Sequence, residues 1–283
     1  MGVKFYKYSA LGNDYIVIDP LINQIILNVE NIKRICDRNF GIGSDGILYG
    51  PELIDEEIHL RIFNPDGNEA EKSGNGLRIF ARYLKEHGYV ESIEFDIITK
   101  GGKAHIFVLD GENSRIKVDM GTASFLSSDI PVKGTKREVI RERIVVHGQE
   151  MQCTCLTIGN PHCVVEMTEI SNELAKELGP SLENNELFPT KINVQFIKVI
   201  DRNNIHIEIW ERGAGYTLAS GSSSCAAASA AFRLGLVNKS IKVHMPGGVI
   251  EVEISENGHV LMTGSVDSVY EGELSSHFEK SLV

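Results

Sequence analysis

"LRIFNPDGNEAEKSGNGLRIFARYLKEHGYV" (residues 60–90) returns 147 residues later as "IEIWERGAGYTLASGSSSCAAASAAFRLGLV" (residues 207–237). At that offset Phe63 falls on Trp210, Asn64 on Glu211, Ser73 on Ser220, Gly74 on Gly221, Gly88 on Gly235 and Val90 on Val237. Each copy reads as a strand, a glycine-containing loop, a Ser-Gly turn and a helix closed by glycine. Further on, "TKGGKAHIFV" and "MPGGVIEVEI" repeat within one residue of the same spacing. Supersecondary pieces recurring in one order indicate two homologous domains.

Outward from the repeat, strand-like runs dominate, among them KFYKYSA, DYIVID, RIKVDM, NVQFIKVI and HVLMTGS. Helical patterns fall at 28–39, 75–88, 170–183 and 222–235. Few helices among many strands predict an α+β fold with mostly antiparallel pairing. The expected architecture is two pseudo-symmetric domains, each a curved sheet around a central helix. The boundary is expected near 119–126, with residues 1–121 plus 267–283 forming the first domain and 122–266 the second. The final strand, SVDSVYEGEL, is expected to return to the first domain.

The 283 residues carry a formal net charge of −11, which argues against a polyanion as main partner. The opening MGVKFYKYSALGNDYIVID alternates apolar and polar residues and is not read as a signal peptide. No apolar run approaches the roughly 18 residues that cross a bilayer. The five cysteines, Cys36, Cys153, Cys155, Cys163 and Cys225, are odd in number and lack metal-finger spacing. They predict a reduced, cytoplasmic protein with buried thiols. Cys153 and Cys155 share one face of a strand and are read as paired core thiols rather than a redox or metal pair. No metal is expected. GIGSDG (41–46) fits a dinucleotide fingerprint in letters only, since it follows a helical run and opens no helix.

A helix N-terminus presents unpaired N–H groups and the positive end of a dipole, so it binds a carboxylate readily. Two such termini facing across a cleft would grip a small anion from both sides. They would also set Ser73 and Ser220 on its opposite faces, the arrangement of an enzyme that removes a proton from one face of a carbon and returns one to the other.

The chain resembles the diaminopimelate epimerases through ALGNDYIVID, GIGSDG, RIFNPDGNEAE, SGNGLR, IGNPH, NVQF, ERGAGYTLASGSSSCAA and MPGG, in that order and nearly end to end. The resemblance implies two similar domains with the substrate in the cleft between them. It implies a cofactor-independent inversion of the α-carbon of diaminopimelate, on the lysine and peptidoglycan pathway, by a homodimeric cytoplasmic enzyme. The substrate-binding positions carry over onto Asn13, Asn64, Asn160, Asn193, Glu211 and Arg212, with turn amides from Gly74, Asn75, Gly221 and Ser222. Asn64, Asn160, Asn193 and Arg212 would hold the distal, non-reacting end, whose zwitterion needs both donors and acceptors. His162 and Glu211 occupy the positions that tune the catalytic pair. Ser44 stands where some relatives use an amide.

In one respect the chain departs from the family. The two catalytic residues there are cysteines, and here they are Ser73 and Ser220. A serine hydroxyl ionises roughly five units above a thiol, a difference of about 7 kcal/mol. A helix terminus returns at most about 2 kcal/mol of that. Serine therefore needs a partner that takes its proton, and His162 and Glu211 are the candidates. Cys225, about 140° round the helix from Ser220, points elsewhere, and Cys163 faces away from His162. Three readings stay open: a natural serine variant, acting on diaminopimelate or on another amino acid; a Cys-to-Ser substituted epimerase; and an amino-acid-binding protein without catalysis.

Overall fold

The computed structural model describes residues 2–282. In chain order the elements are β1 (Lys4–Ala10), β2 (Asn13–Ile18), α1 (Val29–Cys36), β3 (Ile47–Ile54), β4 (Glu57–Phe63), β5 (Glu69–Ala70), α2 (Gly74–Glu86), β6 (Glu94–Thr99), β7 (Gly102–Val108) and β8 (Arg115–Thr122). There follow β9 (Glu142–Val146), β10 (Gln149–Thr157), β11 (Pro161–Glu166), α3 (Asn172–Glu183), β12 (Asn193–Asp201), β13 (Asn204–Glu211), β14 (Gly215–Thr217), α4 (Gly221–Arg233), β15 (Ser240–Met245), β16 (Gly248–Ile254) and β17 (His259–Ser265). Strand β18 (Asp267–Glu273) and the one-turn helix α5 (Ser276–Glu279) close the chain. Two compact units result. One runs through Val118 and resumes at Gly264; the other is Asp119–Thr263.

In the first unit the strands lie in the order β18-β1-β2-β3-β4-β6-β7-β8, with β5 on the free part of β4. In the second the order is β9-β10-β11-β12-β13-β15-β16-β17, with β14 on β13. The directions match strand for strand: two parallel pairs in each unit (β2–β3 and β4–β6; β11–β12 and β13–β15) and antiparallel pairs elsewhere. Parallel neighbours require a crossover, and each is made through a helix. The sheets are therefore mostly antiparallel, with parallel pairs where α1 to α4 intervene.

The central helix of each unit is enclosed by its own sheet. Helix α2 touches β1, β2, β3 and β7, and α4 touches β10, β11, β12, β13, β15 and β16. Residues Gly74 to Ala81 are buried without interruption, as are Ser223 to Ala231. A helix buried on every side must be apolar or small all round. Helix α4 meets this with Ala226, Ala227, Ala228, Ala230 and Ala231, and α2 with Leu77, Ile79, Phe80 and Leu84 except at the buried Arg78, whose guanidinium is tied back to Asn75. Alanine also has the highest helix propensity, so the run that fits a narrow sheet cavity folds as a helix locally.

Three features lie outside the sequence reading. Strands β5 and β14 are too short to leave a periodic pattern. Helix α5 is a fifth helix, capped by the Ser275 hydroxyl on the Phe278 N–H. Cys153 and Cys155 are core thiols, but they are three with Cys163 rather than a pair: β10 and β11 set Cys155 directly opposite Cys163. Sequence spacing hides this because the third member arrives across a hairpin.

Candidate active site

In the first unit the site residues gather at the start of α2. Ser73 is its N-cap, in extended backbone conformation, and its Oγ accepts the Gly76 N–H at 3.1 Å. That cap uses one of the orphan donors of the first turn and leaves the Gly74 and Asn75 amides outside the helical ladder. The Asn75 Nδ2 donates to Asn13 Oδ1 at 3.0 Å, and its own Oδ1 accepts Arg78 Nη2 at 2.7 Å. Asn13 Nδ2 donates onward to Asp45 Oδ2 at 2.9 Å. Asp45 and Asp14 are both clamped by Arg38, and Lys7 pairs with Asp14. Burial pushes the Asp14 carboxyl up, but hydrogen bonds from Arg38 and Lys7 more than reverse this and hold it at about 2.

Both asparagine carbonyls are thus committed within the network, and each amide keeps an N–H for another acceptor. Asn64, half-buried, directly follows β4, its backbone N–H closing a turn on the Asn68 carbonyl at 2.9 Å. Ser44 is buried, and its hydroxyl donates to the Gly46 carbonyl at 2.9 Å, with Cys36 Sγ at 3.4 Å. The hydroxyl is spent on the loop between α1 and β3.

The second unit repeats the cap. Ser220, 8% exposed, accepts the Ser223 N–H at 3.4 Å, leaving the Gly221 and Ser222 amides outside the ladder. Beneath it, the Ser224 hydroxyl donates to the Ser220 carbonyl at 2.8 Å, and Gln195 Nε2 reaches Ser223 Oγ at 3.0 Å. The turn at Gly159, with φ of +96°, folds Asn160 back so that its Oδ1 meets His162 Nε2 at 2.8 Å. His162 stands opposite Asn193 across the parallel β11–β12 pair. Asn193 donates to the Pro161 carbonyl at 2.9 Å and accepts the Arg212 N–H at 2.9 Å. Arg212 is exposed, with Nη1 on the Thr190 carbonyl at 3.2 Å, and Glu211 ends β13 beside it. Asn160, His162, Asn193 and the Glu211-Arg212 turn are therefore one constellation within this unit.

His162 is fully buried. Because Nε2 faces a carbonyl oxygen it carries the ring proton, and the bare Nδ1 has no hydrogen-bond partner. Burial drives its pKa down to about 3, with the neighbouring Gln195 amide opposing the shift only in part. The imidazole is neutral at any working pH, so it accepts a hydrogen bond but cannot store a proton there. Of the two candidate proton acceptors, His162 and Glu211, burial removes His162 from that role.

Tyr15 belongs to the site by packing and carries no spacing signal that marks it. Its hydroxyl lies 3.3 Å from Ser73 Oγ, either atom being able to donate. Tyr15 opens the run of four buried residues that ends β2, and packing of β2 against α2 brings it to Ser73. Tyr15→Phe should lower α-proton exchange by about 3- to 10-fold, in keeping with loss of a hydrogen bond of about 1 kcal/mol, with thermal stability close to that of the parent. Exchange rates unchanged in Tyr15→Phe would remove it from the site.

The fold and the twin capped turns define a class. The solved structures described as a probable proline racemase from Agrobacterium radiobacter K84 (TM-score 0.71, 14% identity, 97% of this chain and 93% of that one) and a hydroxyproline epimerase from Agrobacterium vitis (TM-score 0.70, 12% identity, 97% and 92%) share this architecture. At such identities the likeness is one of fold. Sequence carries the assignment further. The diaminopimelate epimerase family model matches residues 5–126 and 154–269. The chain is 54% identical to diaminopimelate epimerase 2 of Nostoc sp. over 275 residues, covering 97% of this chain and 96% of that one. It is 39% identical to the diaminopimelate epimerase of Caldanaerobacter subterraneus, covering 96% and 99%. The chain belongs to the diaminopimelate epimerase family.

Proposed function

We propose that this chain is a cofactor-independent isomerase that interconverts LL- and meso-diaminopimelate by two-base proton transfer at the α-carbon, with Ser73 and Ser220 at the two proton-transfer positions. The observation that carries the reading is the matched pair of N-cap serines. Each opens a central helix at the same point of the same strand order, on a chain of this family.

The amides of Gly74 and Asn75, and of Gly221 and Ser222, would bind the reacting carboxylate, where helix termini favour negative charge as the α-carbon becomes carbanionic. Asn64, Asn160, Asn193 and Arg212 would hold the distal amino-acid end, and the Asn13–Asn75–Arg78 chain keeps the Ser73 turn in place. Ser44 shapes its loop. Removal of the α-proton by a serine Oγ requires the hydroxyl proton to move to a partner at the same time. Glu211 is the carboxylate for that role, with neutral His162 as a hydrogen-bond acceptor and Tyr15 as the group at Ser73. The serine on the other face gives its hydroxyl proton to the carbanion, and its oxygen is reprotonated in the same step by its own neighbour, which recovers the proton from solvent, so that no alkoxide is left. A cytoplasmic homodimer accompanies this reading, testable by light scattering of the purified chain. Among the described residues no helix is long and apolar enough to cross a membrane.

The test is α-proton exchange. Incubated in D₂O with LL- or meso-diaminopimelate and followed by NMR, the chain should lose the α-proton signal and interconvert the two isomers. Tight calorimetric binding with no deuterium uptake would instead make it a non-catalytic binder. Turnover confined to another amino acid would move the substrate but keep the chemistry.

A further inference from the structure

The turn between β13 and β14 carries Glu211 and Arg212, and each backbone N–H at its tip has an acceptor. The Arg212 N–H donates to Asn193 Oδ1 at 2.9 Å and the Gly213 N–H to Glu183 Oε1 at 3.1 Å. The Ala214 N–H closes the turn on the Glu211 carbonyl at 3.2 Å. Glu183 also takes the indole N–H of Trp210 on Oε2 at 2.8 Å, and the Lys191 ammonium lies 3.6 Å from Oε1. One carboxylate thus holds the residue before the Glu211-Arg212 pair and the residue after it, with a separate oxygen for each.

Helix stability does not account for this carboxylate. Glu183 is the last residue of α3 and is only 5% exposed. The C-terminal end of a helix disfavours negative charge, and a buried carboxylate is costly unless it is hydrogen-bonded. The first unit shows a different solution at the same place. At the offset of 147, Glu183 falls on Cys36, the last residue of α1, and Trp210 falls on Phe63. Cys36 and Phe63 share an apolar core. The turn there has Pro65, which has no N–H to satisfy, where the second unit has Arg212. The indole–carboxylate pair therefore occurs only in the copy whose turn carries an arginine. Gly179 of α3 leaves room for it, since a Cβ there would lie 2.5 Å from Trp210 Cγ. We propose that Glu183 is a positioning residue of the distal-end site, fixing the turn from which the Arg212 guanidinium reaches the distal carboxylate of diaminopimelate. The proposal rests on the reading of Arg212 as a distal-end ligand.

Calorimetric titration with diaminopimelate tests it. The dissociation constant does not depend on how much of a sample is folded, and the stoichiometry counts that fraction. Glu183→Gln keeps the shape but sets an amide N–H against one of the two donors. It should bind about 10-fold more weakly than the parent, as expected for loss of a hydrogen bond to a charged group. Arg212→Ala, at an exposed side chain, should also weaken binding. Glu183→Gln/Arg212→Ala should bind no more weakly than Arg212→Ala alone, because both substitutions remove one interaction. A Glu183 that only stabilises the fold would give additive losses. Trp210→Phe, which restores the residue of the first unit, repeats the test should the glutamine variant fail to fold: about 3-fold weaker alone, with no further loss beside Arg212→Ala. Affinity equal to the parent in the folded variant, or additive losses in the double variant, would overturn the proposal and leave the epimerase reading standing. A parent chain that binds no diaminopimelate would overturn that reading and this proposal together.

Discussion

The Ser73→Cys/Ser220→Cys variant should exchange the α-proton of diaminopimelate about 10²- to 10⁴-fold faster than the serine form, the span a well-matched general base contributes. The expectation rests on what each atom must do. A thiol ionises near pH 8.5 and is drawn lower by a helix N-terminus, so a thiolate base is within reach at neutrality. The hydroxyl at the same place is not, and it must pass its proton to a neighbour during the reaction. Both serines already adopt N-cap geometry with Oγ on an N–H of the first turn, so a sulfur at either position sits at the positive end of the same helix. Deuterium uptake by NMR, with single variants alongside, reads the effect. Because two-base inversion needs both groups, each single cysteine should recover much less than the pair. Equal rates for serine and double-cysteine forms would show that the serines are not the proton-transfer groups. A failure of both to exchange would remove diaminopimelate as substrate.

Stability should fall as pH drops from 7 to 5, by about 2 kcal/mol attributable to His162 alone. His162 is held neutral by burial, with its pKa lowered to about 3, against about 6.5 in the unfolded chain. Below 6.5 the unfolded state binds a proton that the folded state refuses, so acid favours unfolding. The contribution is fully present above pH 6.5 and is lost progressively as pH falls toward 3. Asp14 acts in a lower window, because a carboxyl held at about 2 stabilises the fold above its unfolded value and loses that only as pH drops below about 4. Urea unfolding at pH 7 and pH 5, for the parent chain and His162→Gln, separates the two. The variant should lose some stability at pH 7, since Asn160 loses its partner, but its slope between the two pH values should flatten. Parallel slopes would mean that His162 is protonated in the folded chain.

The contrast between these residues shows where sequence reading ends. The repeat at 147 residues by itself places two turns, two helices and two serines, because a duplicated fold leaves duplicated punctuation: α2 and α4 begin and end at that same offset. The α+β class followed from runs of period two broken by four amphipathic or alanine-rich stretches. Asn13, Asn75, Asn160 and Asn193 were legible as members of motifs. Whether an amide carbonyl is free or already taken by Arg78, His162 or Arg212 depends on the side-chain rotamers and backbone turns that packing selects, even where the partner is only two or three residues away.

What the chain determined by itself, then, was the duplicated architecture and the identity of the two turn residues. Both are written in local pattern, in periodicity and in the cap preference of serine at a helix start. Only tertiary structure decided that Tyr15 stands at Ser73, that His162 is a buried neutral acceptor, and that three thiols from two neighbouring strands share one core. Pairing of strands and packing of helices set those distances, and burial sets the electrostatics. Neither is encoded in the spacing of residues along the chain.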